Sequence, residues 1–114
     1  EMTTEERNEV VLRIEEASGL KGYTFFCFRS GEVPPLPYAV FYHPQTETES
    51  ADNKTWARIQ TTNIELYTEQ KDFDIEQKLE GVLTAHEITW EKSESYLSSE
   101  NMFEVLYEFQ NTEE

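Results

Sequence analysis

Apolar and polar positions change period in the middle of the chain. Ile64, Leu66 and Thr68 fall on every second residue, as on a half-buried strand. A few residues later Ile75, Leu79, Val82 and Leu83 recur at helical spacing with charged residues between them. The pattern predicts a strand running into an amphipathic helix. Asp72 or Asp74 is placed to cap that helix, and Asp74 with Gln77 makes a capping-box pair. Asp74 and Lys78 attract across one turn, whereas Glu76 and Glu80 repel at the same spacing. Gly81 weakens the helix and is expected where it packs closely on a sheet.

The rest of the chain divides in the same way. Thr3 and Glu6 form a capping box, Val10, Ile14 and Ala17 with Val11 form an apolar stripe, and Gly19 supplies a left-handed stop. This predicts a first helix. Tyr23 to Phe28 is an aromatic strand, Arg29 to Glu32 a turn, and Val33 to Pro37 a stiff extended run in which the prolines forbid ladder hydrogen bonds. Tyr38 to Tyr42 is a strand, and His43 to Lys54 is polar without period and predicts a long exposed loop. Trp56 to Thr68 follows as one long strand, or as two with a break near Thr61 to Asn63. After the second helix Ile88 and Trp90 begin a strand, and Ser93 to Asn101 is a polar turn. Phe103, Val105, Tyr107 and Phe109 then alternate with Glu104, Leu106 and Glu108 in the last strand. Gln110 to Glu114 is expected to fray. The element order α-β-β-β(β)-α-β-β predicts a single α+β domain, an antiparallel sheet with two helices packed on one face.

Charge narrows the function. Acidic residues number 24 against nine basic ones, for a net charge of −15 over 114 residues. Such a chain repels nucleic-acid phosphates, so sequence-independent DNA binding is disfavoured. Two acidic roles remain: a DNA mimic that inhibits a nucleic-acid-binding protein, or the wall of a passage through which DNA slides. Seven Phe, six Tyr and two Trp supply the core area that a disordered acidic chain lacks.

Candidate chemistry is sparse. The one cysteine, Cys27, reads as a small buried hydrophobe. Asn53-Lys54-Thr55 fits a glycosylation sequon by chance, and no apolar run approaches a membrane span. His43 and His86 are far apart, and His86 reads as a helix-end side chain. Asp72-x-Asp74-x-Glu76 lacks the glycine and the closing glutamate of a calcium loop, since Leu83 stands at the twelfth position. No nucleophile motif or glycine-rich phosphate cradle is present, so the expectation is a protein without catalysis, metal or cofactor. The acids Glu47, Glu49 and Asp52 of the long loop are the candidate lumen-facing or partner-facing residues.

Several blocks together resemble a known family. These are Leu36-Pro37-Tyr38-Ala39-Val40, Ala51-Asp52-Asn53-Lys54, Ile64-Glu65-Leu66-Tyr67-Thr68 with Lys71-Asp72, the helix with Glu76, Lys78 and Leu79, Trp90-Glu91-Lys92, and Phe103 to Glu108. Over residues 36 to 109 the chain resembles the tail terminator, or tail-completion, proteins of long-tailed phages and prophages of Gram-positive bacteria; other small head–tail connector proteins share such strings. The resemblance implies an α+β fold and a homo-hexameric ring that caps the tail tube and stops its growth. It further implies the major tail-tube protein and a head-completion protein as partners, with DNA passing through unbound. The location implied is the virion neck, and the host cytoplasm during assembly. Phe26, Phe28, Pro34, Pro35 and Leu36 are then the expected subunit-contact residues.

Overall fold

A computed structural model describes residues 5, 9–14, 20, 22–25, 28–29, 31–51 and 54–113, with backbone alone at 25, 49–51, 54–57 and 111–113. Residues 9–14 are helical (α1), and β1 (Gly22–Phe25), β2 (Tyr38–Tyr42), β3 (Thr46–Ala51) and β4 (Lys54–Thr68) follow. Next come α2 (Phe73–Ala85), β5 (Glu91–Leu97) and β6 (Met102–Glu113). The fold is α+β, with six strands in one mixed sheet ordered β1-β2-β4-β6-β5, and β3 paired to β4 beside that path.

The sheet is not wholly antiparallel. β1 runs parallel to β2, with Gly22 opposite Tyr38 and Phe25 opposite Phe41. Parallel neighbours need a crossover that returns the chain to the end it left, and the proline-bearing segment before β2 provides it. Its packing also explains Gly22, where an added Cβ would lie 2.7 Å from Pro34 Cγ.

The expected loop from His43 to Lys54 is largely strand. β2 and β3 lie on the same side of β4, interrupted only at His43-Pro44-Gln45, and the Gln45 carbonyl accepts from the Thr61 N–H at 2.9 Å. Residues 38–68 therefore make one long hairpin. Its second half is a single unbroken strand, so the possible break near Thr61 is absent. Polar residues hid β3 because, among the described residues, nothing covers either face of this part of the sheet, which removes the apolar alternation that marks a strand. β6 pairs with β4 from Thr68↔Phe103 to Arg58↔Glu113, so residues 110–113 belong to the ladder rather than to a frayed tail. β5 likewise reaches Leu97, taking Ser93 to Leu97 out of the predicted turn, and it starts at Glu91 rather than Ile88.

Register separates the two faces. Ala39, Phe41, Ile64, Leu66, Val105, Tyr107 and Phe109 point to one side, where they form the core with Val10, Val11 and Ile14 of α1 and Ile75, Leu79 and Leu83 of α2. Both helices thus cover the same face. Asp72 caps α2, its carboxylate accepting from the Ile75 N–H at 3.1 Å, and the Asp74–Lys78 pair forms at 3.2 Å. At the other end Glu87 takes a left-handed φ of 59°. Its N–H reaches the Thr84 carbonyl while that of Ile88 reaches Leu83, a Schellman closure. Gly81 is exposed with nothing near it, so the expected close approach to the sheet does not occur: Gly81 is off the stripe that Leu79 and Leu83 turn inward. The Thr3–Glu6 cap, Ala17, the Gly19 stop, Cys27 and Asn53 lie outside the described residues.

β3, the first half of β4 and the end of β6 extend beyond the helix-covered part as an arm that is three-stranded as far as Arg58 and two-stranded beyond it, and the chain measures 51 × 30 × 22 Å. The described side chains from Thr46 to Thr48 and Arg58 are exposed. A third strand is what allows such a polar ribbon to hold its shape without a core of its own.

Candidate functional site: the open acidic face and the arm

Among the described residues, no helix or strand lies over the second face of the sheet. Its outward positions are Tyr38, Val40 and Tyr42 on β2, Asn63, Glu65 and Tyr67 on β4, Glu104, Leu106 and Glu108 on β6, and Glu91 on β5. Antiparallel pairing puts Tyr67 directly opposite Glu104 and Glu91 directly opposite Glu108. The second of these is a like-charge cross-strand pair, which opposes folding.

Glu65 and Glu104 converge on one hydroxyl. Tyr67 Oη lies 2.8 Å from Glu65 Oε2 and 3.0 Å from Glu104 Oε2. A phenol has a single proton to donate. The hydroxyl therefore satisfies one carboxylate at a time, and the other faces the same oxygen as a second acceptor. Desolvation and then the neighbouring Glu104 carboxyl push the Glu65 carboxyl above the usual carboxylate range, outweighing the opposing hydrogen bond from Tyr67. Burial and the two carboxylates push the Tyr67 hydroxyl up as well.

A group raised in this way favours the folded state below its unfolded pKa and loses that contribution as pH rises. Glu65 faces Tyr67 on its own strand, Glu104 and Leu106 on β6, and Val40 on β2, so no cation offsets the effect. Glu65→Gln keeps an acceptor for Tyr67 and gains a donor for Glu104. It is expected to raise stability at pH 7 by roughly 0.2–1 kcal/mol, the range of cross-strand pairs. The gain should vanish below the ordinary value of 4.5. Urea denaturation at pH 7 and pH 4 reads both; a gain that persists unchanged at pH 4 contradicts the shared-hydroxyl geometry.

The helix-covered face handles its acids differently. The Glu76 side chain is 3% exposed and pairs with Lys71 Nζ at 2.7 Å and with Lys92 Nζ at 2.8 Å. Lys92 also meets Glu80 at 2.8 Å, Lys71 meets Glu94, and Tyr107 Oη donates to Glu80 at 2.7 Å. Burial pushes the Glu80 carboxyl up, but Lys92, Tyr107 and the charge of Lys71 more than offset this and hold it below the usual range. Desolvation lowers Lys92, and its two carboxylates override that to raise it. The expected Glu76–Glu80 repulsion is therefore bridged by lysines that are distant in sequence. This cluster clasps α2 to β5 and β6, and the sequence pattern gave no sign of it.

The residues expected to matter are scattered. Glu47 is exposed on β3 opposite Ile59, with Gln45 Nε2 donating to its Oε1 at 2.7 Å. Glu49 lies opposite Ala57, while Asp52 and Phe26 lie outside the described residues. At the far end of β4, Phe28 packs edge-on against Tyr38 with ring centres 5.3 Å apart, and Pro34 lies on Gly22. Pro35 is exposed, and Leu36 borders an open cleft with Pro37, Thr68 and Lys71. Phe28 and Pro34 thus pack within their own chain, far along the hairpin from Glu47. Glu65, Tyr67 and Glu104 escaped sequence reading because period-2 alternation marks each as outward without showing that they are neighbours.

Among the described residues no group of three His, Cys, Asp or Glu side chains is placed to hold a metal ion, and no helix is long and apolar enough to cross a membrane. No family model and no curated protein sequence matches the chain.

Proposed function

We propose that the chain is a non-enzymatic tail terminator subunit. Six copies form a ring that caps the tail tube, halts its elongation and joins tail to head while DNA passes. The observation that carries this reading is the arm. An isolated domain gains nothing from a polar ribbon extending beyond its core, whereas a ring subunit needs an extension to reach a neighbour, the tube end or the lumen. Glu47, with Glu49 further along β3, gives the arm negative charge. Six such arms around a bore would repel the phosphate backbone and keep the passage from binding DNA. The resemblance over residues 36 to 109 points the same way, and names the tube protein and a head-completion protein as the partners on the two sides of the ring. A stable ring requires each subunit contact to bury more than about 1,000 Å². Exposed Pro35 and the neighbouring Leu36, which borders the cleft beside Thr68, are the proposed contact region.

Electron microscopy of the protein mixed with tail tubes tests this reading, with density expected at one tube end only. A shortened variant, with Gln45 joined to Thr61 by an Asn-Gly turn, removes most of the arm and keeps the bond between those two residues. The shortened protein should fold and fail to cap tubes. Random decoration by the intact protein, or full capping by the shortened one, would overturn the assignment.

A further inference from the structure

We propose that the open face of the sheet is a docking surface for an extended protein segment rich in arginine or lysine. Glu104, then Glu65 beside Leu106, then Glu108 beside Glu91 form three successive outward levels along β6. Levels on one strand are about 6.8 Å apart, twice the rise per residue, which is also the spacing of alternate side chains in an extended peptide. The Glu65 carboxyl leans to Glu104 at Tyr67, so a segment with basic residues at every second position meets acids at the first and third levels and Leu106 at the second.

Charge complementarity identifies the occupant. Across β1, β2, β5, residues 59–67 of β4 and 102–110 of β6, no outward position carries Lys or Arg. On the helix-covered face, by contrast, Glu76, Glu80 and Glu94 are all matched by Lys71 or Lys92. On the open face Glu65, Glu104, Glu91 and Glu108 meet no cation among the described residues, and Tyr67 is the donor that Glu65 and Glu104 share.

Asn63 adds an independent sign. It occupies the outward position between Tyr42 and Glu108 and is only 5% exposed. Its Nδ2 donates to Tyr42 Oη at 3.1 Å, while its Oδ1 has no donor among the described residues. The face therefore holds a surplus of acceptors, and guanidinium and ammonium groups are pure donors. Tyr38 and Tyr67, half-buried with ring centres 5.2 Å apart, add an aromatic pair beside these acids. A nucleic acid or an anionic membrane is repelled here. A second copy, with its own net charge of −15, is a poor match. The docking surface stands whether or not the chain caps a tail tube.

Calorimetric titration with a nine-residue peptide alternating arginine and serine tests the surface. At low salt the intact protein should bind it, and Glu65→Gln with Glu104→Gln should weaken binding tenfold or more. Neutralising two carboxylates elsewhere, Glu69→Gln with Glu87→Gln, should change affinity less than twofold. Amide shifts on the peptide's addition should concentrate on β4 and β6. Equal losses in the two double variants would reduce the effect to net charge and overturn the assignment. So would absence of binding by the intact protein, or amide shifts confined to the arm.

Discussion

Replacing Lys71 and Lys92 together by methionine is expected to destabilise the fold by about 3–5 kcal/mol, because it leaves a buried carboxylate without its counter-charges. Glu76 sits at 2% exposure, beneath α2 and against the sheet. Water cannot replace the two ammonium groups that approach it to 2.7 and 2.8 Å. Lys92 further holds Glu80 and lies 5.7 Å from the Tyr107 ring centre, so its loss also loosens the seam between α2 and β6. Each single replacement leaves one ammonium on Glu76 and should cost less than the pair. Adding Glu76→Leu to the double variant should recover most of the stability, since an apolar residue of similar size needs no partner at that position. Urea midpoints at constant slope measure all four proteins. If the double variant loses no more than Lys78→Met, whose ion pair is surface-exposed, the clasp has been misjudged.

Phe41→Ala is expected to cost about 3–5 kcal/mol, the usual range for emptying a buried aromatic site. Phe41 is fully buried at the centre of β2, with Ile64 opposite on β4 and Phe25 opposite on β1. The ring of Tyr23 meets it edge-on at 5.9 Å. The cavity would open under the parallel strand, so β1 should lose amide protection before the long hairpin does. For a domain whose total stability is typically about 5–15 kcal/mol, either loss brings the protein near unfolding at moderate temperature. Val40→Ala, one residue away on the outward side, also empties a buried position but removes two methyl groups rather than a ring, and should cost less. Equal losses at Phe41 and Val40 would mean that the open face is as tightly packed as the core.

Much of the fold is legible in the residues. Ile64 and Leu66, and Val105, Tyr107 and Phe109, show their strands because one side is buried and the other is not. Asp72 marks the start of α2 through a bond to an N–H only three residues away. Where both faces are wet, as from Thr46 to Thr48, that contrast disappears and a strand reads as a loop. The parallel direction of β1 is invisible for a different reason. It depends on where the segment before β2 carries the chain, which no local period records.

Residue order alone carries the α+β class, the apolar face of α2, its Asp72 cap and the large negative charge. Each follows from neighbours within a turn or a hairpin. Only the tertiary structure decided which acids meet cations. It gave Glu76 two lysines drawn from separate elements and gave Glu65 another carboxyl, because pairing across strands, rather than spacing along the chain, sets which charges share low-dielectric surroundings.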